Sequence, residues 1–269
     1  MKITNALLAA SALVTFSGLA SAQADKLYVL DCGWSHNTDV ARWTPGVNVG
    51  KPVDMSENCY LIHDAKGYFL WDTGYPDAVA AMPDGQSSQG GATVVKRVRT
   101  LAAQLQEIGV KNSDIQYVGI SHTHPDHTGN LDLFPDATIV IQKAEFDATQ
   151  ATPRPAFPAA HKAMKLEGDK DIFGDGAVTV ISTPGHTVGH ESLLVHLQKT
   201  GWIILTGDAV HLKENWDARR VPSMNVDKVK TVASMQRLAD LMAEHKAQLW
   251  INHDKPQSDT QLHAPKFYE

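Results

Sequence analysis

Apolar positions along the chain fall into short, strand-length runs broken by polar and glycine-bearing segments. Residues 27–30 predict a strand, and a polar loop studded with aromatics follows from Gly33 to Val49. Residues 58–63 and 68–71, joined by a turn at 64–67, predict a β-hairpin, and Asp72-Thr73-Gly74 breaks its second strand. Val94, Val95, Val98, Leu101, Leu105 and Ile108 recur at helical spacing, with Lys96, Arg97, Arg99 and Gln104 on the other face. A helix is therefore expected over 94–108, closed by Gly109. Further strands are expected at 117–120, 138–141, 178–181, 192–197, 202–205 and 248–251, with an amphipathic helix over 228–244. Two groups of strands, each with helices attached, point to two sheets packed face to face with helices outside. Residues 82–92, rich in Gly, Ser and Gln, fit either a mobile loop over a functional site or a plain connector.

The N-terminus has a different pattern. Met1-Lys2, an apolar stretch from Ala6 to Leu19 and the small residues Ala20-Ser21-Ala22 read as a secretory signal peptide cut after Ala22. The apolar stretch is too short and too rich in Ser, Thr and Gly for a convincing membrane span, and a retained anchor is the alternative. Residues 1–22 are accordingly assigned to the signal and 23–269 to a single domain, with export to a periplasm or beyond the cell. The formal net charge of −6 is mild and the Lys and Arg residues are scattered. Nucleic acid is therefore not an expected partner, since phosphate binding needs a concentrated basic face. Nor is a basic amphipathic helix present for a membrane surface. The two cysteines, Cys32 and Cys59, each lie near one end of an apolar run. A disulfide between neighbouring strands and two buried free thiols are both open. The thiols are preferred, because spacing alone does not bring the two Cβ atoms face to face.

The chemistry concentrates in Ser121-His122-Thr123-His124-Pro125-Asp126-His127, directly after the apolar stretch 117–120. Three imidazoles and a carboxylate on one strand-end loop suit zinc, manganese or iron, and no thiolate lies nearby. Three more expected strands end in short loops offering His186, Asp208 and His253. Strand-end loops gather at one edge of a sheet, so five histidines and two aspartates can meet although they are far apart in sequence. That is enough for two metal ions sharing a carboxylate.

With HTHPDH at 122–127, Thr183-Pro-Gly-His186, Gly207-Asp208, His253 and the WDTG segment at 71–74, the mature chain resembles the metallo-β-lactamase superfamily over nearly all its length. Within it, the segments 27–33, 58–62, 67–74, 183–190, 206–216 and 251–254 look most like the N-acyl homoserine lactonases. The resemblance implies an α/β (α+β) fold, the αβ/βα four-layer sandwich of that superfamily. It implies His122, His124 and His186 on one zinc ion, Asp126, His127 and His253 on the other, and Asp208 bridging them with a hydroxide between. Other divalent metals such as Mn, Fe or Co remain open. It further implies quorum quenching by lactone ring opening, a small-molecule lactone or ester as partner, and a homodimer. Two bound cations lower the pKa of bound water to ~7. Asp126 is then the candidate for carrying a proton to the leaving oxygen.

One position departs from the lactonase pattern, which has Tyr three residues after the bridging Asp. This chain has His211, which can also donate a hydrogen bond and is assigned a catalytic, substrate-positioning role. Asp72 and His190 are expected to support ligands rather than bind metal themselves. Trp34, His36 and Trp43 in the early loop, and Trp216 after the bridging Asp, are candidates for the substrate pocket. The alternative function is a broader esterase, thioesterase or phosphotriesterase of the same fold, because fold does not fix substrate. Zinc β-lactamases usually lack or replace one member of the seven-residue set, and here none is missing. Flavin-linked oxygen reduction fails because position 124 is His and no flavodoxin-like domain is attached.

Overall fold

The computed structural model describes residues 22–269, so all but the last residue of the expected signal peptide (1–22) lies outside the described residues. Thirteen strands run in chain order: β1 (Lys26–Asn37), β2 (Val53–Asp64), β3 (Gly67–Trp71), β4 (Gln86–Ser88), β5 (Thr93–Lys96), β6 (Ile115–Gly119), β7 (Thr138–Gln142), β8 (Ala163–Leu166), β9 (Lys170–Asp171), β10 (Val178–Ser182), β11 (Glu191–Leu197), β12 (Gly201–Leu205) and β13 (Gln248–Trp250). The first eight form one sheet in the order β4-β5-β1-β2-β3-β6-β7-β8, and the last five form another in the order β13-β12-β11-β10-β9. The helices are α1 (Leu101–Glu107), α2 (Pro125–Thr128), α3 (Lys143–Gln150), α4 (Lys213–Ala218), α5 (Lys228–His245) and α6 (Lys255–Ser258).

Period-2 alternation explains the layering. Leu27, Val29, Tyr60, Ile62, Phe69 and Trp71 face Val178, Val180, Leu193, Val195, Ile203 and Leu205 across the inter-sheet core. Their neighbours Leu30, Leu61, Leu70, Val118 and Ile139 face the other way and bury Leu101, Leu105 and Phe146 of α1 and α3. On the second sheet, Ile181, Leu194 and Ile204 cover Leu238 of α5. Both faces of each sheet are thus buried, giving helix, sheet, sheet and helix in four layers. Among the described residues, no helix is long and apolar enough to cross a membrane.

Four expectations change. The helix over 94–108 is two elements: Val94 and Val95 pair with His36 and Ser35 as β5, and the helix starts only at Leu101, where the Thr100 side chain accepts from the Ala103 N–H. The helical reading put Arg97 on an exposed face. Instead its guanidinium is buried against Asp77 (3.0 Å) and the Tyr75 carbonyl, which only an extended segment allows. β1 runs on past Gly33 to Asn37 through a bulge between Asp31 and Trp34, so the early loop is shorter than expected. The 82–92 segment pairs onto β5 as the short strand β4. The preference for free thiols is also corrected: Cys32 and Cys59 are joined by a disulfide across β1 and β2, with Cα atoms 5.7 Å apart. The bulge supplies the reason. Cys59 pairs with Leu30, and Cys32, two residues further along β1, sits in the irregular stretch between Asp31 and Trp34 where the register shifts.

Candidate metal centre

The ligand-bearing loops leave the ends of β6, β10, β12 and β13, on the rim where the two sheets meet. Open α/β sheets form their crevices outside the carboxyl ends of strands. The loops are stitched together by backbone bonds, among them Glu191 N–H to Ser121 O (2.9 Å), Thr206 N–H to Trp250 O (3.0 Å) and Thr73 N–H to His127 O (2.8 Å). Between Ser121 and His127 the chain turns sharply into the one-turn helix α2, with Pro125 in its first turn.

The predicted set converges as two groups. His122, His124, His186 and Asp208 offer ligand atoms within 4.8 Å of one another, and so do Asp126, His127 and His253 together with Glu57. In the first group His122 Nε2, His124 Nδ1 and His186 Nε2 form a triangle with sides of 2.8, 3.2 and 3.1 Å. Tetrahedral zinc with Zn–N of ~2.0–2.1 Å separates its nitrogen ligands by about 3.3–3.4 Å, so this triangle is close to one face of such a site. Asp208 joins the groups. Its Oδ2 lies 3.2 Å from His186 Nε2, while its Oδ1 lies 3.3 Å from His127 Nε2 and 3.0 Å from His253 Nε2. His127 Nε2 and Asp208 Oδ1 are buried without a hydrogen-bond partner. Donors left without partners, in a set of nitrogen and oxygen atoms, fit a pair of divalent cations.

The remaining ring nitrogens show which atoms are held for coordination. Asp72 Oδ2 takes the His127 Nδ1 proton (2.9 Å) and its Oδ1 takes the Ser121 N–H (2.7 Å). Asn225 Oδ1 takes the His186 Nδ1 proton (3.1 Å), and the Ser56 carbonyl takes that of His253 (2.8 Å). Each bond fixes the tautomer with Nε2 turned inward. Asp72 reaches both partners because it adopts a left-handed backbone (φ 58°), a conformation Asp tolerates better than most residues. His190 points away from both groups. Its Nδ1 meets Thr183 and its Nε2 accepts the Asp208 N–H at 2.8 Å, which holds the bridging carboxylate in place. Gly207 (φ 51°) is required there, because a Cβ would come within 2.8 Å of that Nε2.

Electrostatics follow the crowding. Burial would raise the Asp208 carboxyl, but His253, His211, His127 and His186 outweigh it and hold it well below the usual range. Burial pushes His122 and His186 down, so both are neutral and ready to ligate. His253 is buried too, yet the Asp208 and Glu57 carboxylates push it up to about 10, and His127 is raised for similar reasons. Cations arriving in the second group would displace those protons.

A cavity of about 430 Å³ opens over these groups. His124, Asp126, Asp208, His211 and His253 reach its floor, with Trp43, Met55, Tyr75, Gln86, Gln89 and Met224 around it. His211 is buried, with Nε2 3.0 Å from Asp208 Oδ2 and Nδ1 without a partner. Trp34, His36 and Trp216 are not among the lining residues, and the first two are corrected by strand alternation. Ser35 and Asn37 face the cavity, so Trp34 and His36 face away. Trp34 borders a separate hollow with Asp31 and Arg99, and exposed His36 pairs with Asp54 at 2.7 Å. Trp216 packs against the cluster of Val210, Met235 and Ile251, beneath the Arg219 guanidinium.

Three functional candidates went unseen in the sequence. Tyr75 follows WDTG, and its neutral phenol faces the cavity, raised by burial and then by nearby carboxylates. Glu145, in the first turn of α3, accepts from Thr123 N–H (2.9 Å), Thr123 Oγ1 (2.8 Å) and Gly189 N–H (3.0 Å), tying the two ligand loops together. Glu57 lies fully buried behind His127 and His253, 3.8 and 3.4 Å from their Nδ1 atoms. Burial pushes its carboxyl up to about 8 although both imidazoles pull it down.

Known proteins agree with this geometry. The family model for the metallo-beta-lactamase superfamily matches residues 52–244. The N-acyl homoserine lactonase AttM of Azorhizobium caulinodans is 31% identical over 263 residues, covering 91% of this chain and 98% of that protein. The N-acyl homoserine lactonase AiiA of Bacillus thuringiensis subsp. kurstaki is 28% identical over 90% of this chain and 98% of its own length. A solved N-acyl homoserine lactone hydrolase, with the product N-hexanoyl-L-homoserine bound at its catalytic metal center, superposes with a TM-score of 0.80. It is 25% identical and covers 92% of this chain and 100% of its own. From the rim of strand-end ligands to the four-layer sandwich beneath it, the chain belongs to the metallo-beta-lactamase superfamily.

Proposed function

We propose that this protein is a dinuclear metallohydrolase that opens the lactone ring of N-acyl homoserine lactones. The observation carrying the dinuclear reading is the Asp208 carboxylate, which turns one oxygen to each group of ligands. AttM, AiiA and the product-bound hydrolase support the lactone as substrate. His122, His124 and His186 would hold one cation, Asp126, His127 and His253 the other, and Asp208 both. Zinc suits these nitrogen and oxygen donors, and Mn, Fe or Co suit them as well. Two such cations supply a water-derived nucleophile at neutral pH and polarise the ester carbonyl.

The chain's own residues do the rest. Asp126, at the cavity floor, is placed to pass a proton to the ring oxygen as the acyl C–O bond breaks. His211 stands where the lactonase pattern has Tyr and offers a polar edge to the bound substrate. Burial lowers its pKa even though Asp208 opposes this, so the ring is neutral at pH 7. The apolar side chains of Trp43, Met55 and Met224 provide a surface for the acyl chain. The same proposal places the mature protein in an oxidising, exported compartment. The Cys32–Cys59 disulfide supports this, because such bonds persist there and are rare in a reducing cytosol.

The test is incubation of zinc-loaded protein with short- and long-chain N-acyl homoserine lactones, followed by mass spectrometry, with Asp126→Asn alongside. Gain of one water by the substrate with wild type, and its loss with the variant, is the expected result. A protein that holds two metal ions per chain yet turns over only aryl esters, thioesters or phosphotriesters would overturn the lactone assignment.

A further inference from the structure

We infer that Glu57 is a positioning residue for the second cation, its buried carboxylate making the pocket of Asp126, His127 and His253 demand a positive charge. The inference rests on the dinuclear reading. Glu57 lies in β2 within the run 55–62, in which every residue is buried. A carboxylate at the centre of such a strand is costly unless its charge is compensated. Its Oε1 accepts from Asn252 Nδ2 at 2.8 Å, and its Oε2 has no hydrogen-bond partner. Among the described residues no lysine or arginine forms an ion pair with it; its ion-pair partners within 4 Å are the two imidazoles.

Glu57 does not act by setting tautomers. The Nδ1 proton of His127 already goes to Asp72, and that of His253 goes to the Ser56 carbonyl. What Glu57 adds is negative charge, delivered through both rings to the side on which their Nε2 atoms point at Asp208. The backbone around it belongs to the same assembly. Ser56 Oγ donates to the Asn252 carbonyl (2.7 Å) and the Asn58 N–H donates to Asn252 Oδ1 (3.1 Å), so β2 holds the loop that carries His253. Among the described residues, no carboxylate other than the shared Asp208 forms an ion pair with an imidazole of the first group, where His186 leans on Asn225 and His122 on Ser121. The two positions should therefore differ in what they owe to charge behind the ligands.

The experiment is calorimetric titration of metal-stripped full-length protein with Zn²⁺, comparing wild type, Glu57→Gln and Glu57→Asp, with thermal melting of each stripped protein. Glu57→Gln keeps an acceptor for Asn252 and removes the charge. Its second equivalent of zinc is expected to bind about 10–100-fold more weakly, the range for outer partners of metal ligands, with the first unchanged. Glu57→Asp should bind the second equivalent more tightly than Glu57→Gln does. The stripped Glu57→Gln protein should melt no lower than stripped wild type, since Gln keeps the acceptor for Asn252 and removes a carboxyl whose ionised form burial disfavours. Equal affinities for both equivalents in Glu57→Gln and wild type would overturn the inference, as would a lower melting point of the stripped variant, which marks a role in folding alone. A wild-type chain that binds only one equivalent would instead defeat the dinuclear reading.

Discussion

Replacing both Cys32 and Cys59 with alanine tests the cross-link between β1 and β2 directly. The cysteines are separated by 27 positions and both are fully buried. Loop-closure entropy for about 27 residues corresponds to about 3.5 kcal/mol at 25 °C. Alanine leaves no buried hydroxyl, so the change reports the bond rather than a new desolvation cost. For a protein of this size each kcal/mol shifts the melting temperature by roughly 2–4 °C, which places the expected drop at roughly 7–14 °C. The assay is calorimetry of the two proteins without reductant, together with thiol titration of the unreduced, denatured wild type. Among the described residues, the side chain that hydrogen-bonds a cysteine sulfur is that of Arg97, which is not a candidate ligand, so zinc content should not change. Two titratable thiols per chain, or a melting shift under about 2 °C, would refute the argument. The bond also backs the cavity. Gly74 (φ 68°) packs so closely that a Cβ there would meet Cys32 Cβ at 2.3 Å, and the next residue is Tyr75.

Two further outcomes are expected. His211→Phe should lower kcat/KM about 10²–10³-fold, the range for losing one polar group aimed at the reacting oxygen, with two zinc ions retained; loss of a zinc ion would instead make His211 a ligand. Metal-stripped protein should lose stability as pH rises from about 7 to 9. His253 at about 10 and Glu57 at about 8 both lie above their unfolded values, so the folded state binds more protons. Their contribution is complete below about pH 4.5 for Glu57 and about 6.5 for His253. It falls by at most about 1.4 kcal/mol per pH unit per group, and a denaturation midpoint rising across that range would contradict the sign.

The seven clustered site residues were legible because each interrupts an apolar run with a His or Asp at a strand end, and HTHPDH alone supplies four of them. The two sheets were legible for a related reason, since strands buried on both faces read as unbroken apolar runs. The misreadings have physical causes. Val94 and Val95 satisfy helical spacing and also suit a strand, and only the edge of β1 settles which they adopt. Trp34 and His36 looked like pocket residues from composition, but a bulge two residues earlier fixed which way each side chain points. Glu57 and Glu145 left a fainter trace. A single carboxylate beside apolar residues marks a buried charge only when its partners, 70 and 22 or more positions away, are known. In Glu57 the available clue was its place directly before the run 58–62, with no basic residue beside it.

The floor of the cavity and its walls come from different stretches of backbone. The floor is made by loops locked to one another at the ends of β6, β10, β12 and β13, whereas Gln86, Gln89, Trp43 and Met224 stand on the β4–β5 edge and on surface connections. None of these four side chains takes part in the hydrogen bonds that stitch the floor loops together, so substitution there leaves those bonds in place. Reactivity and the choice of acyl group can drift independently in such a molecule, and new substrates can be acquired one wall residue at a time while the bond-breaking apparatus stays intact.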